Sequence, residues 1–280
     1  MDLHKKLFKT EYQGRKLTLE VSDLAGQANS AVIGRYGDTA VLVTVVMSDQ
    51  EKNVDYFPLV VDYEERFYAA GKILGSRFIR REGRPSEEAI LSGRLIDRTI
   101  RPLFDHRLRR EVQVVVTILE LDEENDPDFI TLLTASAALG ISDIPWNGPV
   151  AGLKLLRRSQ RLILNPTNTE IKDWFEEGAF QAFVAGTADR INMIEMEGID
   201  AEEKEVAKAF AEAQKEISQL VEWQKKIVKE VGKEKAVVHL DEPDESLVKV
   251  VRSFLADKLE GAVYIKGKKE MYAKMAEVGE

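Results

Sequence analysis

The residues with the clearest chemical potential are the arginines of one segment, between residues 77 and 110. This segment holds ten arginines, no lysine and five acidic residues, so its formal charge is +5, whereas the whole chain carries −9. The rest of the chain therefore carries −14. Arginine presents a planar fork of donors that binds phosphate or carboxylate through two hydrogen bonds. An acidic chain with one arginine-rich segment is thus expected to hold a localised anion site.

The first part of this segment predicts a glycine-flanked loop that contains Phe78, Ile79, Arg80 and Arg81. Two apolar residues followed by two arginines are costly to expose to water. They suit a loop in which an aromatic ring stacks on a nucleic-acid base while the arginines hold backbone phosphates. The alternative is that Phe78 packs into the core, and the pattern alone leaves both interpretations open.

The second part predicts a helix that begins at Pro85–Ser86 and ends near Pro102. Its expected core-facing residues are Leu91, Leu95 and Ile96. Arg94, Arg98 and Arg101 recur at i, i+4 and i+7, so they share another face. Asp97 lies three and four residues from Arg94 and Arg101, and ion pairs on a solvated helix are therefore an alternative to anion binding.

Standard catalytic motifs are mostly missing from the sequence. There is no cysteine, so disulfides and cysteine nucleophiles are absent. The sequence contains no GxxxxGK[ST] phosphate loop, no GxGxxG after a strand, no HExxH and no GxSxG. Its three histidines, at positions 4, 106 and 239, stand apart from one another, and each is expected at the surface.

The elements that position the arginines indicate an α+β fold. Strands are predicted at 17–21, 40–47, 59–61, 112–121, 150–156, 161–164, 182–185 and 192–196. A buried helix is predicted at 128–141, and a long helix at 200–231 with a capping box formed by Asp200 and Glu203. No apolar run reaches 18 residues and no signal peptide is recognisable, so a cytoplasmic location is expected.

Two domains are expected. Residues 1–237 form the α+β domain, including its long C-terminal helix. Residues 238–280 begin with a linker and turn helical again from Glu245, without a closing element. They are therefore interpreted as the truncated start of an all-helical domain.

Four long motifs carry a family resemblance. They are GQANSAVIGRYGDTAVLVTVV (26–46), GKILGSRFIRREGRPSEEAILSGRLIDRTIRPLF (71–104), NDPDFITLLTASAALGISDIPWNGPVAGL (125–153) and FVAGTADRINMIEMEG (183–198). With these motifs the chain resembles the polynucleotide phosphorylase family, and within it the first of two RNase PH-like core domains. The resemblance implies an RNase PH-like core of the ribosomal protein S5 domain 2-like type, followed by part of an all-α linker domain.

The resemblance also implies a function. Members of that family are polyribonucleotide nucleotidyltransferases, which degrade single-stranded RNA from its 3′ end with inorganic phosphate and release nucleoside diphosphates. They use Mg²⁺, form ring-shaped homotrimers and take part in mRNA degradation. Single-stranded RNA, a homotrimer and proteins of RNA-degradation complexes are therefore the expected partners, and no membrane is expected.

In that family the active site belongs to the second core domain. The phosphate-binding loop of the second domain aligns with Asp126–Asp128 here, and its metal-binding stretch aligns with residues 179–187. The key carboxylate becomes Gln181 and a lysine becomes Phe183, while a second carboxylate aligns near Phe175. We therefore expect no catalytic residue, no metal ligand and no bound Mg²⁺ or phosphate in this chain.

The family places a loop with two phenylalanines and two arginines around the RNA channel. The residues at 78–81 match this loop, with Ile79 in place of the second aromatic and Arg77 as an extra residue. The RNA-binding residues implied are Phe78, Ile79, Arg80, Arg81, Arg84, Arg94, Arg98 and Arg101. For the last three, substrate binding and buttressing of the fold remain equal alternatives.

Two other functions stay open. A self-sufficient RNase PH-type enzyme would need carboxylates outside the aligned positions, such as Glu176 and Glu177, to hold magnesium. A purely structural assembly fragment would bind nothing alone, because RNA is gripped by a complete ring.

Overall fold

The computed structural model describes residues 3–73, 83–172, 174–240 and 242–279. The chain divides into two compact units, Met1–His239 and Leu240–Glu280. The loop residues Phe78, Ile79, Arg80 and Arg81 lie outside the described residues.

A six-stranded sheet forms the first layer of the larger unit. Its strands are β1 (Lys6–Tyr12), β2 (Arg15–Val21), β3 (Ser30–Tyr36), β4 (Thr39–Glu51), β5 (Leu59–Glu64) and β6 (Arg110–Glu120). Their order is β1-β2-β3-β4-β6-β5, and only β5 and β6 run parallel. The predicted strands at 17–21, 40–47, 59–61 and 112–121 are confirmed, whereas β1 and β3 were not predicted.

A four-stranded antiparallel sheet forms a second layer. It contains β7 (Ala151–Arg158), β8 (Arg161–Leu164), β9 (Phe180–Gly186) and β10 (Ile191–Gly198), in the order β10-β9-β7-β8. The strands predicted at 150–156 and 161–164 are confirmed as β7 and β8, which pair as a hairpin. Ser159 and Gln160 make its turn with φ values of 47° and 62°. Two consecutive positive φ angles match the right-handed twist of the flanking strands.

Three helices pack on the sheets, namely α1 (Glu87–Ile100), α2 (Pro127–Ile141) and α4 (Glu203–Val231). A one-turn helix, α3 (Asn168–Ile171), lies between β8 and β9 in the chain. The predicted buried helix is α2, which contacts β3 and β4 in one sheet and β7 in the other. Two glycines permit this approach: a Cβ at Gly34 would lie 1.9 Å from Thr134 Oγ1, and a Cβ at Gly152 would lie 2.8 Å from Leu132 Cδ2.

Two sequence expectations about the helices were wrong. Leu91 does not face the core: it is 59% exposed, because α1 turns the small residues Ala89 and Gly93 toward the sheet together with Leu95 and Ile96. The predicted capping box at the start of α4 does not form either. That helix begins at Glu203, with Glu202 at the N-cap and no side-chain cap bond, while Asp200 adopts a positive φ.

The smaller unit consists of three helices among its described residues, α5 (Glu245–Leu255), α6 (Leu259–Val263) and α7 (Lys268–Gly279). Asp244 caps α5 by accepting hydrogen bonds from the backbone N–H groups of Ser246 and Leu247. Across the described parts of both units, no helix combines the length and apolar character needed to cross a membrane.

Candidate nucleic-acid interface and an acidic cavity

Helix α1 positions the predicted arginines that the structure describes. Ser86 caps the helix: its side-chain oxygen accepts a hydrogen bond from the Ala89 N–H at 3.0 Å. Arg84, Arg94 and Arg98 are exposed, and none of them forms an ion pair or hydrogen bond with another described residue. Their guanidinium groups are thus available to an anion.

Arg101 is engaged within the fold instead. Its Nε and Nη2 donate to the two carboxylate oxygens of Asp97 at 3.0 and 2.7 Å. Its Nη1 and Nη2 also donate to the carbonyls of Phe57 and Leu59 at 3.2 and 3.1 Å. The half-buried side chain therefore ties the end of α1 to the start of β5. These contacts favour buttressing over substrate binding for Arg101.

A cavity of about 310 Å³ lies between the second sheet and the helices α1 and α2. Its charged and amide side chains are Asp126, Asp128, Lys154, Gln181, Glu195 and Glu197. Four carboxylates thus face one ammonium group, and the cavity is acidic.

The register of the second sheet brings Lys154, Gln181, Glu195 and Glu197 together in the wall of the cavity. Lys154 pairs with Phe183 across β7 and β9, and Phe183 pairs with Glu195 across β9 and β10. Directly opposed residues share one face of a sheet. Gln181 pairs with Glu197 in the neighbouring row of that face. The Gln181 side-chain amide also donates to the Glu197 carboxylate.

The N-terminus of α2 supplies the remaining charged residues of this wall. Asp126 caps this helix, because its Oδ1 accepts the Asp128 N–H at 3.0 Å. Its Oδ2 forms an ion pair of 2.9 Å with Lys154. Asp128 has a buried Oδ1 with no hydrogen-bond partner among the described residues. Burial, and then the negative charge of Asp126, raise the pKa of Asp128 to about 7.

The cavity unites most of the positions that the family resemblance aligned with active-site elements, but Phe175, the position aligned with a second carboxylate, is 72% exposed and does not line it. Asp126, Asp128, Gln181 and Phe183 all line it. Carboxylates repel a phosphate, and the amide and phenyl groups offer neither the carboxylate nor the ammonium of the aligned stretch. Among the described residues, no three His, Cys, Asp or Glu side chains come together in a group that would hold a metal ion. Gln181 and Phe183 thus do not reproduce the metal-binding stretch at the aligned positions.

Glu176 and Glu177, the alternative magnesium ligands, do not line this cavity. Glu176 accepts a 3.1 Å hydrogen bond from the Ser159 hydroxyl at the turn between β7 and β8. It also lies 3.9 Å from the Arg158 guanidinium. Its contacts therefore stabilise a turn.

The sequence analysis did not identify three charged residues of the cavity, which are Lys154, Glu195 and Glu197. The alternation of the two glutamates along β10 signals only that they share a face. Their meeting with Asp126 and Asp128 depends on how the sheet packs against α2.

The raised pKa of Asp128 leads to a pH-dependent prediction. The folded chain holds a proton on Asp128 that the unfolded chain has lost, so the free energy of unfolding falls as pH rises from about 4 to about 7. Asp128→Asn removes the ionisable group, and with it this loss of stability at higher pH. We expect the variant to gain about 1–2 kcal/mol over the parent chain at about pH 8, and less at about pH 5.

Urea unfolding of both chains at the two pH values measures this difference. Glu212→Gln, a substitution at an exposed residue of α4, serves as the matched control and is expected to show no pH-dependent change. A loss of stability in Asp128→Asn at the higher pH contradicts the prediction.

A family model and a solved structure define the class of protein to which this fold is similar. Residues 13–145 match the family model described as 3′ exoribonuclease family, domain 1. The crystal structure of rice (Oryza sativa) Rrp46 superimposes with a TM-score of 0.57 over 80% of this chain and 94% of that one, at 11% identity. The fold is thus an RNase PH-like α+β core followed by helices, as expected.

The particular relatives are polyribonucleotide nucleotidyltransferases. The enzyme of Bacillus mycoides (strain KBAB4) is 46% identical over 265 residues, and that of Bacillus cereus (strain ATCC 14579) is 45% identical over 265 residues. Each alignment covers 95% of this chain and 36% of the relative. The resemblance to the polynucleotide phosphorylase family is confirmed, and the chain spans little more than a third of the length of these relatives.

Proposed function

We propose that this chain is part of a phosphate-dependent 3′-to-5′ exoribonuclease that degrades single-stranded RNA to nucleoside diphosphates. Within that enzyme this part binds and threads the RNA and helps to build the ring, while a second core domain performs the chemistry. The observation that carries the proposal is the contrast between two sites. Three exposed arginines that form no ion pair with another described residue follow the predicted loop at 78–81, whereas the cavity at the aligned catalytic positions is acidic.

The described arginines support a phosphate-binding role. Arg94 and Arg98 lie one turn apart on α1, and Arg84 precedes the helix by three residues. Guanidinium contacts to phosphates fix a strand in place without reading its sequence. With Phe78 and Ile79 against the bases, and Arg80 and Arg81 on the backbone, these residues form a sequence-tolerant grip. Arg101 takes part by holding α1 in place.

The acidic cavity supports the absence of catalysis in this part. An enzyme that uses inorganic phosphate needs a site that attracts it, and four carboxylates around one lysine do not. Magnesium and phosphate are accordingly cofactor and substrate of the complete enzyme, held by the second core domain.

The family resemblance also supports a proposal about assembly and location. We propose that the complete protein is a cytoplasmic homotrimer that works with other proteins of RNA degradation. Residues 1–237 serve as its first RNase PH-like core domain, and residues 238–280 as the beginning of its helical linker domain. The relatives named as polyribonucleotide nucleotidyltransferases support this assignment.

Salt-dependent RNA binding tests the role of this part. The affinity is measured by fluorescence anisotropy of a labelled single-stranded RNA titrated with the purified chain. The logarithm of this affinity is expected to fall linearly with the logarithm of the salt concentration. Oligonucleotides of different sequence are expected to bind alike. An absence of RNA binding at low salt would favour a purely structural assembly role.

A further inference from the structure

The segment that follows α4, residues 232–236, caps the C-terminus of α2. We call this segment the strap. An α-helix leaves its last four carbonyl groups without a partner inside the helix. In α2, three of these carbonyls accept hydrogen bonds from strap residues, namely those of Leu139, Gly140 and Ile141. The strap thus satisfies groups that the helix itself leaves unpaired.

Lys235 makes the largest number of these contacts. Its Nζ donates to the carbonyls of Leu139, Gly140 and Ser142 at 2.9, 3.1 and 2.6 Å. A lysine ammonium has three N–H donors, so each of them has an acceptor here. Positive charge is also favourable at the C-terminus of a helix, where the helix dipole is negative. The end of α2 therefore matches the ammonium group in both hydrogen bonding and charge.

Backbone hydrogen bonds align the strap with the chain that follows α2. The Lys233 N–H donates to the Ile141 carbonyl at 2.9 Å. Three residues later, the Ala236 N–H donates to the Asp143 carbonyl at 2.7 Å. The Lys233 ammonium adds a hydrogen bond of 2.6 Å to the Asn29 carbonyl. The strap is thus held at both of its ends, with Lys235 between them.

Packing contributes little to this arrangement. No side chain of the strap is buried: residues 232–234 are exposed, and Lys235 and Ala236 are only partly covered. The neighbouring helices differ, because α2 is buried along nearly its whole length and α4 buries one face. Segments with few buried apolar contacts open locally at a lower free energy than the core does. The strap is therefore held by hydrogen bonds, and chiefly by those of one ammonium group.

We propose that the strap is a conformational device that Lys235 holds closed, and that it opens as a unit while α2 and α4 remain folded. In the closed state the ammonium lies on the α2 carbonyls, and the chain leaves the larger unit at one fixed place. In the open state water takes over these carbonyls, and the residues that follow Val231 reorient freely. One consequence rests on the proposed function: the strap then joins the first core domain to the helical linker domain, and its opening gives that connection more freedom.

Amide hydrogen exchange of the whole chain, measured by mass spectrometry, tests the proposal. Lys235→Met keeps an unbranched side chain but has no ammonium group. We expect exchange at Lys233 and Ala236 to become faster by roughly tenfold or more, with no change in α2 or α4. Lys229→Met removes the same charge from an exposed residue in the last turn of α4, and it is expected to leave exchange in the strap unchanged.

Two exchange results overturn the proposal. One is equal exchange of the strap in the parent chain and in Lys235→Met. The other is faster exchange throughout α2 and α4, or failure of the variant to fold, since Lys235 would then support the fold as a whole and the strap would not open separately.

A distance measurement tests the motion itself. The chain contains no cysteine, so two introduced cysteines carry spin labels without background. Glu212→Cys on α4 and Val237→Cys directly after the strap are both at exposed positions. Double electron–electron resonance is expected to give one narrow distance distribution with Lys235 in place, and with Lys229→Met, but a broad one with Lys235→Met. An unchanged distribution in Lys235→Met overturns the proposal. Neither measurement contains RNA, so failure here leaves the proposed function to its own test.

Discussion

Replacement of Arg80 and Arg81 together by alanine is expected to weaken binding of single-stranded RNA by roughly 10- to 100-fold at low salt. Each arginine that neutralises one phosphate contributes about 0.7 to the slope of log affinity against log salt for a single strand. The double variant is therefore expected to flatten that slope by about 1.4. Anisotropy titrations at several salt concentrations measure both quantities.

The matched control removes two positive charges elsewhere. Lys215 and Lys225 are exposed on α4 and form ion pairs with Glu212 and Glu222 of the same helix. Their double alanine variant has the same net charge as the arginine variant, and its salt slope is expected to stay close to that of the parent chain. If both variants lose affinity equally, the loop does not grip RNA and only the overall charge matters.

Arg101→Leu is expected to lower the free energy of unfolding by about 2–4 kcal/mol. The substitution removes four hydrogen bonds. It leaves the Asp97 carboxylate, which is largely shielded from solvent, without its cation, and it frees two backbone carbonyls at the start of β5. An uncompensated charge of this kind costs more than the net contribution of the pair. Urea unfolding followed by circular dichroism measures the change.

Arg98→Leu provides the comparison on the same helix. Arg98 is exposed and has no ion-pair partner among the described residues, so the free energy of unfolding is expected to change by less than about 0.5 kcal/mol. RNA affinity is expected to show the opposite order. Arg98→Leu is expected to weaken RNA binding more than Arg101→Leu does, because the Arg98 guanidinium has no partner among the described residues and can bind phosphate. Equal destabilisation by the two variants would contradict the distinction between a buttress and a contact residue.

Elements with strong local patterns were predictable from the sequence. Residues 40–47 of β4 are a nearly continuous run of β-branched and apolar residues, as expected for a strand that lies between β3 and β6. Helix α2 is apolar on nearly all sides because it packs between two sheets. The β3 strand was missed because Gly34 interrupts its pattern, and that glycine is needed where α2 approaches.

The candidate sites depended on contacts that the sequence does not display. Spacing placed Asp97 within reach of both Arg94 and Arg101, but only the packing of α1 on β5 selects Arg101. Likewise, the sequence showed that Asp126 and Asp128 stand where the second core domain of the family has its phosphate-binding loop. Their enclosure with Lys154, Glu195 and Glu197 follows from the order and register of a distant sheet.

Release of nucleoside diphosphates is the measurement that tests the central proposal most directly. The purified, folded chain is incubated with single-stranded RNA, magnesium and inorganic phosphate, and a complete polyribonucleotide nucleotidyltransferase is assayed in parallel. We expect no release from this chain while the complete enzyme is active. The cavity of this chain is acidic and repels phosphate, and Gln181 and Phe183 stand at the positions aligned with the metal-binding stretch. Release that disappears when phosphate is omitted would contradict this, since it would place an active site among the residues of this chain.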